Sequence, residues 1–286
     1  MGNRFIVTLH SLKSMQTEAL AARAGELAQE GLPNYFDEQR FGSYAPGGAF
    51  IGKAILRGDA EGALRAYMAQ PVPGDPPALR SFKAFARDHW RDWSAMFQRA
   101  PRSNHRSILT FLKDHPEDFR KALNLITPRL LPLLLAAYQS FLWNRMACRI
   151  LRRRLEPVDA RAAFVEIAGE QLILYQSLPA PLREELRRSS LPLPHHRAAF
   201  PDGYSEEVAE AALAEEGLEL KDLKARLLKR AYLPRGARPL LVFPEGVETQ
   251  IEAMKPGDRR SVRLAFFLSP GSYGTLVLKA LAATVS

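Results

Sequence analysis

The sequence predicts an α+β chain in which a sheet domain, mixed or antiparallel, is interrupted by a mostly helical insertion. Three observations lead there. Phe5, Val7 and Leu9 alternate with polar or smaller neighbours, as in a half-buried strand. Helical spacing dominates the middle of the chain, and strand patterns return after Pro234-Arg235-Gly236. The run Pro71, Pro73, Gly74, Asp75, Pro76 and Pro77 reads as a linker, so the expected segments are residues 1–70, 71–234 and 235–286.

Taken in order, the first strand gives way to a helix over Ser14–Glu30, with Ala19, Leu20, Ala24 and Leu27 near helical spacing and Gly31 as its stop. A polar, aromatic loop follows from Leu32 to Gly42, then short helices over 49–57 and 60–69. Beyond the proline run, helices are expected over 78–99, 104–113, 116–125 and 129–154. The pattern over 163–178 is ambiguous and favours a strand at Gln171–Tyr175. Helices return over 180–188 and 205–214. Arg238–Phe243 and Ser261–Leu268 read as strands separated by a turn at Lys255-Pro256-Gly257-Asp258, and an apolar helix closes the chain from Ser272 to Ala283.

The composition bounds the function. With 47% hydrophobic residues the chain can bury a core, and 40 basic against 31 acidic residues leave a net charge of +9. That excess favours a polyanion or an anionic surface as partner. The single cysteine, Cys148, excludes an internal disulfide framework and a Cys-rich zinc site. The longest apolar run, Leu130–Ala137, contains Pro132 and falls short of the roughly 20 residues of a membrane span. The first ten residues lack the apolar core and cleavage site of a signal peptide, so a cytoplasmic location is expected. A chain that enters a sheet at residue 3 is an unusual start for a domain.

The histidines at 10, 89, 105, 115, 195 and 196 form no HExxH pair, so no metal site is expected. His195-His196 reads as part of an exposed loop. The stretch Ala45–Lys53 carries glycines and a lysine, but its spacing and the residue after the lysine fail the Walker pattern. Basic residues gather in three groups: Arg145, Arg149, Arg152, Arg153 and Arg154; Arg183, Arg187 and Arg188; and Lys221, Lys224, Arg226, Lys229 and Arg230. Each is open to two readings, a solvated helix face or a track for phosphates, and Arg145, Arg149, Arg152 and Arg153 are the candidate RNA-backbone contacts.

The loop Asn34–Gly42 is the sharpest local feature. Asn34, Gln39 and Arg40 can hydrogen-bond a base or phosphate, and Tyr35, Phe36 and Phe41 can stack. That mixture suits an extruded base, and it equally suits a loop whose aromatics fold back into the core.

Pro33-Asn34-Tyr35-Phe36-Asp37-Glu38-Gln39-Arg40-Phe41-Gly42 closely resembles the signature PNYFGxQRFG of the tRNA pseudouridine synthase D (TruD) family. Gly2-Asn3-Arg4-Phe5 resembles the family's GNRF strand, Ala137–Asn144 its AYQSxLWN helix, and Phe267–Thr275 its LPPGSYAT ending, all in the same order. The resemblance implies a pseudouridine-synthase catalytic domain interrupted by a family-specific insertion. It implies an activity that converts a tRNA uridine, usually described as position 13, into pseudouridine without metal or small-molecule cofactor. By resemblance Asn34 and Phe36 belong to the uridine pocket, with Arg40 contacting substrate or bracing the loop. The family's nucleophilic aspartate lies in a GxKDxxAxTxQ motif upstream of GNRF, and no such motif occurs here: Leu220-Lys221-Asp222 lacks the surrounding Gly, Ala, Thr and Gln. The catalytic domain is therefore expected to be partial, the chain alone inactive, and a missing N-terminal segment or complementary fragment a possible partner besides tRNA. Asp37, standing where the signature has glycine, is the one alternative carboxylate, although the family nucleophile comes from another strand. The competing reading is a non-catalytic tRNA-binding or tRNA-folding protein derived from the family.

Overall fold

The structure, a computed structural model, describes residues 2–45, 47–158, 160–253 and 259–285. In chain order the elements are β1 (Asn3–Lys13), α1 (Ser14–Glu30), β2 (Leu32–Pro33), α2 (Ile51–Leu56), α3 (Ala60–Ala69), α4 (Pro77–Asp88), α5 (Trp93–Arg99), α6 (Asn104–Asp114), α7 (Phe119–Leu123) and α8 (Leu131–Leu155). There follow β3 (Ala163–Ile167), β4 (Glu170–Leu174), α9 (Ala180–Arg188), β5 (Ser190–Pro192), α10 (Gly203–Glu215), β6 (Ala237–Pro239), β7 (Leu241–Val242), β8 (Glu245–Ala253), β9 (Arg259–Leu268) and α11 (Gly274–Val285).

The chain forms two compact units. The first comprises Met1–Asp37, Ala147–Leu191 and Ala237–Ser286, and the second Glu38–Met146 and Pro192–Gly236. Composition placed the divisions after residues 70 and 234; the proline run lies inside the second unit instead. There it forms a turn in which Asp75 accepts the Val72 N–H at 2.8 Å and pairs with Lys83 at 2.9 Å.

In the first unit β9 is the centre of an antiparallel sheet ordered β1-β9-β8. Its alternation buries Val262, Leu264, Phe266 and Leu268. Leu20, Ala24 and Leu27 of α1 and Leu276, Val277 and Ala280 of α11 are buried in the same unit, both helices packing against β9 or each other. β8 was not expected, because Glu245, Glu248 and Glu252 dilute its apolar pattern. Its expected turn at 255–258 lies outside the described residues. Gly31 ends α1 with φ +69°, and a Cβ there would stand 2.7 Å from the Phe243 ring, so this position requires glycine on both counts.

The ambiguous stretch resolves as the hairpin β3–β4, with Ile167 opposite Glu170. Ala168 and Gly169 both take positive φ, 50° and 81°, in its two-residue turn. Alanine is an uncommon choice at the first of these, which hid the hairpin.

The second unit is helical. The helix expected over 78–99 breaks into α4 and α5 at Arg91, whose φ is 77°, and Asp92 caps α5 by accepting the Ala95 N–H. The AYQSFLWN stretch in α8 is almost wholly buried, and Gln139 donates to the carbonyls of Pro194 at 3.0 Å and Pro234 at 2.9 Å. His195, expected in an exposed loop, is buried, and its Nδ1 accepts the Arg197 N–H at 3.1 Å.

His105 stacks on Tyr67 with ring centroids 4.7 Å apart and meets the edge of Phe82. Its Nε2 is buried without a hydrogen-bond partner. Burial, with the Lys83 ammonium as a second cause, depresses its pKa from the usual 6.5 to about 4. Between those values the unfolded chain binds a proton that the folded chain does not. Stability is therefore present above pH 6.5 and lost as pH falls towards 4, by up to about 3 kcal/mol. Replacing His105 with Phe should remove that part of the acid sensitivity while keeping the aromatic contacts. Urea midpoints measured at pH 7 and pH 4.5 should differ less in His105→Phe than in the parent; an equal difference would contradict this assignment.

Candidate active site

The site is built where the loop after β2 meets β6 and the turn before α11, all within the first unit. Asn34 leaves β2 with its N–H bonded to the Leu240 carbonyl at 2.8 Å, continuing the β2–β7 pairing. Arg238, at the centre of β6, then aims a buried guanidinium at the loop. Its Nε donates to the Asn34 carbonyl at 2.6 Å, and its Nη2 to Asn34 Oδ1 at 2.8 Å and to the Tyr35 carbonyl at 3.3 Å. Its Nη1 donates to the Gly271 carbonyl at 2.9 Å. The planar fork thus joins two separate loops, and a lysine could not reproduce that geometry.

The same guanidinium lies 4.1 Å from the centroid of Phe36, which meets Tyr273 edge-on at 6.3 Å. Asn34 Nδ2 donates to the Pro239 carbonyl at 3.2 Å. Asn34 is buried, and both polar atoms of its side chain are engaged within the protein. Tyr35 is fully buried and donates its hydroxyl to the Ile173 carbonyl at 3.0 Å; burial raises its pKa well above the usual value, so it remains a donor. Its stacking role gives way to an anchoring one: it ties the loop to the β3–β4 hairpin.

Asp37 is 1% exposed. Its Oδ2 accepts from Thr275 at 2.5 Å and its Oδ1 from Lys279 at 2.5 Å, both on α11. With each oxygen held, this carboxylate fastens the loop to α11 and is not presented as a free nucleophile. Lys279 also borders an apolar groove of about 500 Å³ formed with Leu9, Leu12, Leu20 and Leu281. β1 lies at the edge of its sheet and, among the described residues, pairs with β9 alone.

The other expected residues are distributed differently. Arg40 belongs to the second unit, where its Nε donates to Ser140 Oγ at 3.0 Å, a bracing contact within that unit. Phe41 is buried there against Phe50. Arg145 binds Glu216 and Glu215, each at 2.7 Å, and is mostly buried. Arg149 is partly buried, Arg152 donates to the Gln171 carbonyl at 2.9 Å, and Arg153 pairs with Glu156 at 3.1 Å. Arg238 was not singled out in the sequence. Its signal was an arginine inside the apolar stretch Ala237–Phe243, where a buried cation must find acceptors.

The family profile described as tRNA pseudouridine synthase D (TruD) matches residues 1–281. The chain belongs to the TruD family. TruD relatives include a protein of Methanocaldococcus jannaschii named "Probable tRNA pseudouridine synthase D 2", 28% identical over 97% of this chain and 66% of its own length. The tRNA pseudouridine synthase D of Aquifex aeolicus is 27% identical over 98% of this chain and 69% of its own. The crystal structure assigned to the TruD of Methanosarcina mazei superposes with a TM-score of 0.74 at 26% identity, covering 98% of this chain and 68% of that one. The chain therefore spans about two thirds of the length of the TruD proteins it matches. Among the described residues no group of three His, Cys, Asp or Glu could hold a metal ion, and no helix is long and apolar enough to cross a membrane.

The Asp37–Lys279 contact makes a quantitative prediction. Lys279→Met should leave a buried carboxylate with Thr275 alone and lower stability by about 2–4 kcal/mol, towards the lower end because the lysine is partly exposed. Restoring the family's glycine with Asp37→Gly should make the same lysine change much less costly. A double-mutant cycle by urea denaturation checks this, and additive losses would show that the two side chains do not interact.

Proposed function

We propose that this chain supplies the uridine-holding part of a tRNA pseudouridine synthase. The observation that carries the reading is the convergence of two family signatures, residues 33–37 and 269–275, on one buried arginine in a chain of the TruD family. The reaction breaks the bond between C1′ of the ribose and N1 of uracil, turns the base, and joins C1′ to C5. The C5 proton is lost and N1 regains one, so atoms balance without a cofactor. Asn34, Phe36 and Arg238 shape the place where the base turns, and tRNA is the partner. The first unit corresponds to the catalytic domain and the second to the family's insertion. Work on tRNA gives the protein a cytoplasmic location.

A carboxylate must attack or stabilise C1′, and Asp37 is engaged on both oxygens. We infer that the carboxylate arrives on a further segment, which adds to the free edge of β1 and covers the apolar groove beside it. Such an edge accepts a strand through its unpaired backbone groups, and the groove offers the apolar side chains of that strand a seat. Without that segment the chain holds RNA and does no chemistry, as in the tRNA-binding alternative.

The test is incubation of the 286-residue chain with unmodified tRNA, followed by pseudouridine mapping through carbodiimide adducts. The expected outcome is tRNA binding without product. Product that disappears with Asp37→Ala would make that loop aspartate the catalyst. Product that survives the substitution would place the carboxylate elsewhere in these residues.

A further inference from the structure

The three basic groups of the sequence have different fates in the fold. In the first, Arg145, Arg153 and Arg154 are paired with Glu215 and Glu216, Glu156, and Glu185. In the second, Arg183 is paired with Glu30, and Arg187 and Arg188 with Glu184. The third keeps its charges open: Lys221 pairs with Glu219, but Lys224, Arg226, Lys229 and Arg230 have no ion pair among the described residues.

A built contact fixes part of that third group. Asn124, just after α7, accepts the Lys229 N–H through Oδ1 at 2.9 Å and donates through Nδ2 to the Leu227 carbonyl at 2.8 Å. Arg120 adds a bond to the Arg226 carbonyl at 3.2 Å. An irregular segment with few backbone bonds of its own is thereby laid against α7. Lys229 and Arg230 come to share one cleft with Arg120 and Lys121, residues about a hundred positions earlier in the chain. The cleft is about 700 Å³, within the range of nucleotide-sized sites, and Phe111, Leu125 and Leu131 give it an apolar lining. Its one acidic lining residue, Asp118, accepts the Lys121 N–H and pairs with the Lys121 ammonium at 3.1 Å, so the balance stays strongly positive.

We propose that this cleft of the second unit is an RNA-binding subsite that takes one unstacked nucleotide of the bound tRNA. Its phosphates lie on Lys229, Arg230 and Arg120, and its base rests on the apolar lining around Phe111. Cations on a rim over an apolar floor match a nucleotide's division into phosphate and base face. An acidic peptide would use the rim and leave the floor without a purpose. The inference rests on the reading that the chain binds tRNA and names where, outside the uridine site, part of that affinity comes from.

Three variants compared with the parent by fluorescence anisotropy on labelled tRNA, across a salt series, test it. Lys229→Glu with Arg230→Glu should weaken binding by roughly tenfold or more and reduce the salt slope by about 2, one for each lost phosphate contact. Asn124→Ala keeps every charge but releases the segment, and it should weaken binding while the protein stays folded by circular dichroism. Arg87→Glu with Arg99→Glu, an equal charge reversal on exposed residues of α4 and α5, should have a much smaller effect. Equal losses in the two reversal variants would reduce the cleft to nonspecific charge and overturn the proposal. So would a Lys229/Arg230 variant that binds like the parent, with the tRNA-binding reading left standing. A parent that fails to bind tRNA would remove that reading and the subsite together.

Discussion

A guanidinium taken out of water must find acceptors, and in this chain that requirement organises the site. Arg238 finds them on two loops that are more than two hundred residues apart in one case and about thirty in the other: the carbonyls of Asn34 and Tyr35 with Asn34 Oδ1, and the carbonyl of Gly271. Unmet, the guanidinium and the Asn34 and Tyr35 acceptors would cost far more than the net gain of an ordinary hydrogen bond, because those bonds are buried. Met, they fix both loops against β6 at once. Phe36 then has a defined position because the same guanidinium covers part of its ring.

Two further attachments make the loop rigid rather than merely placed. Tyr35 reaches the Ile173 carbonyl of the hairpin, and Asp37 reaches Thr275 and Lys279 on α11. Successive loop residues therefore point to different supports, which leaves little freedom for the backbone between them. The glycine expected at residue 37 would give the loop no side-chain link to α11. The aspartate found there adds one, and Lys279 and Thr275 supply its partners. The departure from the signature is thus compensated within the first unit, and it makes this carboxylate a fastening instead of a reagent.

Much of this was legible in the sequence where a pattern repeats locally. The strand at Phe5, the helix stopped by Gly31 and the long buried helix through Trp143 follow from periodicity and capping. What escaped depends on long-range pairing. Arg238 looks like one basic residue in a short strand until Asn34 and Gly271 are beside it. The hairpin turn at Ala168-Gly169 carries no asparagine or aspartate to announce it. The basic groups looked equivalent because acidic partners such as Glu216 and Glu30 lie far away in sequence. The aromatic loop is open to two outcomes in the sequence alone, and in the fold Tyr35, Phe36 and Phe41 are all buried.

Arg238, buried and engaged through all three guanidinium nitrogens, is the organiser of the signature loop. Side-chain ¹⁵N relaxation and hydrogen exchange of arginine Nε–H groups, with the Arg238 signal assigned from its loss in Arg238→Lys, measure that directly. The predicted result is a rigid, slowly exchanging Nε–H, bonded to the Asn34 carbonyl, whose protection falls when Asn34 is replaced by Ala. A mobile Nε–H exchanging as fast as those of surface arginines would contradict the account.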